Sequence, residues 1–518
     1  MSKRILFIGV NPENVGFLEG MKIYERSDIG YMANMLMAKG HSVMVYCDHE
    51  SLDYEKLDSF DPELIILALS NDTKVIEWAK SKKPGALIGL GTGVIQDVKT
   101  AKSIIENEDY VDIIAIGGEP FDTWIEIAEC LASGIGFDGI DGIVYRQGEQ
   151  IITKSNIKEF NINDFTTSED NTERNPVLLT TSLGCIANCN FCSNKIFHKK
   201  WQGRNIESVI NEINYFNEKS KFYFHFSDAE IEAPDVKLNR LKQLCEGIIS
   251  LDNYIWYEAN FRPDFIRKVT SEVMDLLVDS GLFRVFVGVE SGSQDDLNLY
   301  NKKCTVDEAK ETVKLFLRYG IHVEIGFMNF QPFSTFESLT ANVQLLEELG
   351  LADFDTISSY YNDCPDYKLH KKIDNAGLLQ NNKRGWGFKN SAIAPLFDFI
   401  DFYIRQYIAP AIREYEKAIG KYKYRVLQLN VANRVGEERK KDSIQEYIEK
   451  IWIVQKSMSF NICNWFKRLL EITMRGFNID EAIKVSRDLL NEGYISETAG
   501  FMEREHEKLT KILKELDK

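Results

Sequence analysis

Cys185, Cys189 and Cys192 form a CxxxCxxC run in the stretch GCIANCNFC, directly after the apolar segment VLLTTSL. Three sulfurs this close in sequence can converge on one point, one ligand short of a closed four-coordinate metal site. Structural zinc would need a fourth ligand, for which His198 is a candidate, and zinc sites normally pair CxxC knuckles placed far apart. A four-iron four-sulfur cluster held by three cysteines leaves one iron open to a non-protein ligand, and the compact spacing favours it over zinc. Thiols that merely neighbour one another are the third reading.

The chain holds nine cysteines, an odd number and mostly scattered, with only these three clustered. Without an export signal, that usage suggests reduced thiols and a cytoplasmic location. The opening MSKRILFIGVNPEN reads as a first strand, because its apolar stretch is too short for a signal peptide. Nothing approaches eighteen uninterrupted apolar residues, so no membrane span is expected. A formal net charge of -17 disfavours nucleic acid as a partner, since binding a phosphate backbone needs clustered Lys and Arg.

The elements that must position the cysteines come from alternating apolar runs and helical patterns. In the first 135 residues RILFIGV, SVMVYC, ELIILAL, ALIGLG and DIIAIGG alternate with helices, which predicts a doubly wound parallel sheet with ligands at the carboxyl ends of its strands. Residues 136–175 hold the hairpin pattern IDGIVYRQGEQII and the polar stretch NINDFTTSEDNTERN, read as a linker. From 176 to 362 the alternation resumes in VLLTTS, FYFHFS, IWYEA, RVFVGV and HVEIGFM, giving five or six βα units and a full or partial (β/α) barrel. Residues 363–518 read as a mostly α-helical substrate or cap domain. Its Trp386, Trp452 and Trp465 fit a core better than a binding stripe.

The aromatic residue before the last cysteine, and the loop's place after the first strand of a βα array, resemble the radical S-adenosylmethionine (SAM) superfamily. That resemblance implies a 4Fe-4S cluster on Cys185, Cys189 and Cys192, whose open iron binds SAM and whose reduced form cleaves it to a 5'-deoxyadenosyl radical. FHFSDAEIEAP is similar to the family's acidic turn and places Asp228 and Glu230 near SAM. WYEANFRPD adds Arg262, whose rigid guanidinium suits a carboxylate, and VGVESGSQDDL adds Glu290 and Ser291 for the methionyl and ribose groups. GFMNFQPFSTFESL is similar to the stretch bordering adenine, but Phe333, Ser334 and Thr335 depart from the usual pattern.

Set before such a barrel, the first domain is similar to the cobalamin-binding domain of one large branch of the superfamily, with GLGTG and IGGEP at the matching turns. The resemblance implies cobalamin contacts from Ser70, Gly89, Gly91, Gly117, Gly118 and Glu119. The DxHxxG motif is absent, and His41 reads as a turn residue. The function implied is a cobalamin-dependent C-methyltransferase acting at an unactivated carbon of a peptide or small natural-product substrate, with SAM as both methyl and radical source. It would draw electrons from a flavodoxin- or ferredoxin-type donor. A cyclase or rearrangement enzyme with the same cofactors is the alternative. A methylthiotransferase is less favoured because only Cys47 and Cys130 lie upstream. A zinc-binding module comes last. Cys364, in YNDCPD after the barrel, is a candidate ligand or acid.

Overall fold

A computed structural model describes residues 2–8, 27–46, 53–67, 73–403, 406–407, 441–491 and 504, except 84, 92–94, 96, 118–119, 158–159, 166–176, 193, 195–197, 199, 233, 366 and 383. The chain forms two compact units, Met1–Ile186 with Asn194–Ala229, and Ala187–Ser193 with Glu230–Lys518.

The first unit is built on a seven-stranded sheet. Its parallel strands are β1 (Arg4–Ile8), β2 (Ser42–Tyr46), β3 (Leu64–Leu67), β4 (Leu87–Leu90) and β5 (Ile113–Ala115). The hairpin β6 (Ile143–Gln147) and β7 (Gln150–Lys154) extends the sheet antiparallel from β5, giving the order β2-β1-β3-β4-β5-β6-β7. Period-2 alternation sends Ile5, Phe7, Leu64, Ile66, Ile113 and Ala115 into one core. There they meet α1 (Ser27–Ala38) and α5 (Phe121–Ser133). Leu6, Ile8, Ile65, Leu67, Ile88 and Ile114 enter the other, against α2 (Tyr54–Phe60), α3 (Thr73–Ser81) and α4 (Val98–Asn107). Burial on both faces is why these strands read as nearly continuous apolar runs. His41 is buried and accepts a hydrogen bond from the Lys3 amide at 3.2 Å, which makes it a turn residue at the foot of the sheet.

The same unit contains β8 (Val177–Leu179), β9 (Ser182–Leu183), β10 (Gln202–Gly203), α6 (Ile206–Glu218) and β11 (Tyr223–Phe226). β8 and β11 pair in parallel, and β9 pairs antiparallel with β10.

In the second unit β12 (Trp256–Phe261), β13 (Leu282–Glu290) and β14 (His322–Phe327) pair in parallel, each followed by helix. Val285, Val287 and Val289 are buried, whereas the alternate face carries Arg284, which bonds Glu258 on β12 and Glu324 on β14. Helix Phe336–Leu349 packs beside the long helix Lys441–Met474, tied by Lys467 to Glu347 at 2.6 Å and by the Ala352 amide to Ser459 Oγ at 2.9 Å. Trp386 and Trp465 are buried, so these aromatics of the helical region are core.

Candidate functional site

The base of the cysteine loop lies in the first unit. Asp228, just after β11, is fully buried and accepts the Thr181 amide at 3.0 Å, the Thr181 hydroxyl at 2.7 Å and the Ser182 hydroxyl. A carboxylate holding three donors at the end of β8 fixes the chain three residues before Cys185. Gly184 then takes φ +86°, and a Cβ there would stand 2.5 Å from the Lys200 carbonyl oxygen. Only glycine meets both demands, so the direction in which Cys185 leaves the strand is set by backbone.

The rest of the loop belongs to the second unit. Asn190, between Cys189 and Cys192, donates its amide to the Tyr300 carbonyl at 2.8 Å and its side chain to the Leu299 carbonyl at 2.7 Å. Its own carbonyl accepts the Leu369 amide at 2.9 Å. Phe191 packs edge-on against Tyr300, and the Lys302 ammonium stands 5.6 Å from the Phe191 ring centroid.

Lys302 is buried and donates to Glu290 Oε1 at 2.7 Å. The register of β13 on β14 shifts between Gly288 and Glu290, and Glu290 takes φ +69°. This bulge re-aims the carboxylate. The pair folds over Gly288, where a Cβ would lie 2.6 Å from Glu290 Oε1 and 2.8 Å from Lys302 Nζ. Burial pushes the Cys189 thiol up from its ordinary value, and the cationic Lys302 opposes that shift, with further contributions from Cys192, Glu290 and Arg262. Glu290 and Arg262, two residues singled out from the sequence, are therefore within electrostatic reach of Cys189.

Arg262 forms a two-pronged bond to Asp264 at 2.9 and 3.2 Å and lies 3.6 Å from Glu230. Its amide donates to Glu232 Oε1 at 3.1 Å. Burial, with the charge of Glu230 added, pushes the Glu232 carboxyl up to about 7. Ser291 Oγ is engaged within the protein, 2.9 Å from Asp296 and 2.7 Å from Asn342. Ser334 accepts the Gln331 amide, and Thr335 closes a capping box with Ser338 at the start of helix Phe336–Leu349.

Cys185, Cys189 and Cys192 are partly buried and none of them is in a disulfide. Among the described residues no three His, Cys, Asp or Glu side chains are already gathered as a metal cage. The donor set still fits a cluster: soft sulfur ligands on one short loop, with the buried Lys302 ammonium opposing the upward shift that burial gives the Cys189 thiol.

In the N-terminal sheet the order β2-β1-β3-β4-β5 reverses at β1, the arrangement that opens a ligand crevice at the carboxyl ends of β1 and β3. Gly89 and Gly91 have a packing reason of their own. A Cβ at Gly89 would meet the Trp124 ring at 2.4 Å, and one at Gly91 the Ala115 carbonyl oxygen at 2.2 Å, while Trp124 donates to Gly91 O at 2.7 Å. Gly117 takes φ +135°. Ser70, Gly118 and Glu119 lie outside the described residues.

Cys364 is partly buried and its carbonyl accepts the Tyr367 amide at 2.9 Å. Beside it in sequence, Asp363 accepts Tyr361 OH at 2.8 Å and pairs with His370 Nδ1 at 2.6 Å. Sequence reasoning missed Asn190, Lys302, Glu232 and this Tyr–Asp–His set. Lys302 and Glu232 stood in view as charges beside named motifs, but their burial is a tertiary fact.

Residues 179–346 match the family model of the radical SAM superfamily. The chain is 26% identical over 424 residues to an uncharacterized methyltransferase of Pyrococcus horikoshii, covering 73% of this chain and 87% of that one. It is 21% identical over 373 residues to an anaerobic magnesium-protoporphyrin IX monomethyl ester cyclase of Rubrivivax gelatinosus, covering 67% of this chain and 66% of that one. Among solved structures it is similar to the cobalamin-dependent S-adenosylmethionine radical enzyme OxsB with aqua-cobalamin bound. The TM-score is 0.68 at 15% identity, over 99% of this chain and 80% of that one. That likeness establishes the fold.

Proposed function

The chain is a radical SAM enzyme, and on that premise we propose that it is a cobalamin-dependent C-methyltransferase acting at an unactivated carbon of a peptide or small natural product. The observation that carries the reading is a succession within one chain: a β2-β1-β3-β4-β5 parallel sheet, then the matched segment with its three clustered cysteines. When bound, the cluster and SAM would supply a 5'-deoxyadenosyl radical, and cobalamin a methyl group. Cys185, Cys189 and Cys192 would hold the cluster. Arg262, Glu290, Lys302 and Glu230 give a charged surround suited to the amino and carboxylate groups of SAM. Asp228 holds the end of β8 and Ser291 bonds Asp296 and Asn342, and Gly91 and Gly117 line the sheet end that would face cobalamin. Cys364 and His370 stand as candidate substrate-side groups.

Electrons would come from a flavodoxin- or ferredoxin-type donor, and the reaction belongs in the cytoplasm. No helix among the described residues is long and apolar enough to cross a membrane. Likeness to a cyclase supports a second reading, ring formation with the same cofactors.

The test needs no substrate. The chain is reconstituted without oxygen with iron, sulfide, reduced cobalamin and methyl-labelled SAM. The expected results are four irons per chain, deoxyadenosine on reduction, and label on cobalamin. Cys185→Ala, Cys189→Ala and Cys192→Ala should each abolish deoxyadenosine while leaving cobalamin bound. Deoxyadenosine without label on cobalamin favours the cyclase, and zinc without iron refutes both.

A further inference from the structure

Tyr31, on α1, is fully buried and stacks on Phe165 with ring centroids 4.1 Å apart at 10°. Its hydroxyl accepts the Thr180 amide and Arg204 Nη1, each at 3.3 Å, and donates to Glu212 Oε2 at 3.3 Å. Arg204 and Glu212 are themselves buried and pair at 2.6 Å. Arg204 also donates Nη1 to the Thr180 carbonyl at 3.0 Å, Nη2 to Ser208 at 3.1 Å, and its amide to the Thr181 carbonyl at 2.9 Å. Four parts of one unit meet here: the first helix of the N-terminal sheet, the end of β8, the strand after the cysteine loop, and α6.

Such a network is an odd choice for stability alone. A buried ion pair gains little over well-packed apolar side chains, but it tolerates only one geometry. Burial, reinforced by the charge of Glu212, pushes the Tyr31 phenol far above its ordinary range, so it remains a neutral donor. Both backbone groups of Thr180 are taken up, and the next two residues are held by Asp228. Every residue from Thr180 to Ser182 is thus anchored before Gly184 and Cys185 follow.

We propose that Tyr31, Arg204 and Glu212 are positioning residues: a buried strut that fixes the end of β8, and with it the departure of Cys185, on the N-terminal sheet. Resting on the two-cofactor reading above, the strut sets where Cys185, as one anchor of the cluster, stands on the unit that carries the sheet. The chemistry needs that placement constant, because a substrate carbon that loses its hydrogen to the radical supplied at one centre must then take a methyl group from the other.

The test uses the full chain in two states. Without cofactors, hydrogen exchange is compared between wild type, Tyr31→Phe and Arg204→Met. Exchange over residues 177–183 and over α1 should rise about tenfold or more, the loss expected when a buried donor is left unpaired, while β3 and β4 stay protected. In the reconstituted chain, the magnetic coupling between cob(II)alamin and the reduced cluster should weaken or spread in both variants, with iron and cobalamin contents unchanged. Exchange over 177–183 that is unaltered in Tyr31→Phe overturns the strut, whatever the cofactors do. Should Arg204→Met fail to fold, Tyr31→Phe carries the test alone. Absence of coupling in wild type would refute the two-cofactor reading, and the exchange result would still decide the strut.

Discussion

Replacing Asp228 by alanine separates two roles that a buried acidic residue near this loop could play. The carboxylate accepts the Thr181 amide at 3.0 Å, the Thr181 hydroxyl at 2.7 Å and the Ser182 hydroxyl, all away from water. The hydroxyls can rotate toward other acceptors, but the amide cannot. An orphaned buried donor costs about 1–3 kcal/mol, and a hydrogen bond to a charged group contributes about 1.5–3 kcal/mol. Asp228→Ala should therefore destabilise its unit by about 3–5 kcal/mol. For a unit of roughly 200 residues that is a fall in melting temperature of about 6–20 °C. Asp228→Asn keeps one acceptor oxygen and should lose about half as much.

The assay is thermal unfolding of the cofactor-free chain under reducing conditions, followed by iron loading of whatever remains folded. The loop should load poorly in the alanine variant, because β8 no longer presents Cys185 in a fixed direction. If Asp228 served only as a SAM ligand, removing it would leave the cofactor-free chain as stable as before. Unchanged melting with weakened SAM binding would refute the structural role.

Glu232 gives a pH-dependent prediction. Its carboxyl is raised from 4.5 to about 7, so between those values the folded chain holds a proton that the unfolded chain has released. Its contribution is present at low pH and is lost as pH rises to about 7. Glu232→Gln retains an acceptor for the Arg262 amide and removes this dependence. Relative to wild type it should gain up to about 3 kcal/mol between pH 5 and pH 8, and an equal stability difference at both pH values in urea unfolding would sink the argument. Gly91→Ala, at φ +115° with its Cβ 2.2 Å from a backbone oxygen, should cost about 3 kcal/mol or more. Gly40→Ala, at φ +85° with open space around it, should cost only about 1 kcal/mol. Similar losses in both variants would mean that the sheet yields at Gly91.

Local pattern was enough to determine the elements. Each apolar run read from the sequence as a strand is one, since burial on both faces of a parallel sheet leaves a run of Ile, Leu and Val little other use. The CxxxCxxC motif needed no fold to be seen, because its three cysteines lie within eight residues of one another. Packing of β6 and β7 onto β5 was not legible, since a hairpin pattern says nothing about the edge it joins.

What only the tertiary structure decided is the assignment of polar residues to tasks. Asp228, Ser291 and Thr335 are short polar side chains in motif positions, yet each is occupied with holding backbone or a neighbouring side chain. Asn190 and Arg204 carry no sequence signal of their own and Lys302 only its place after a named motif, and they matter because folding removes them from water beside particular partners. A charge in a sequence is solvated by default. Its role appears only when long-range packing strips that water away, and for Tyr31 and Thr180 the packing spans 149 positions.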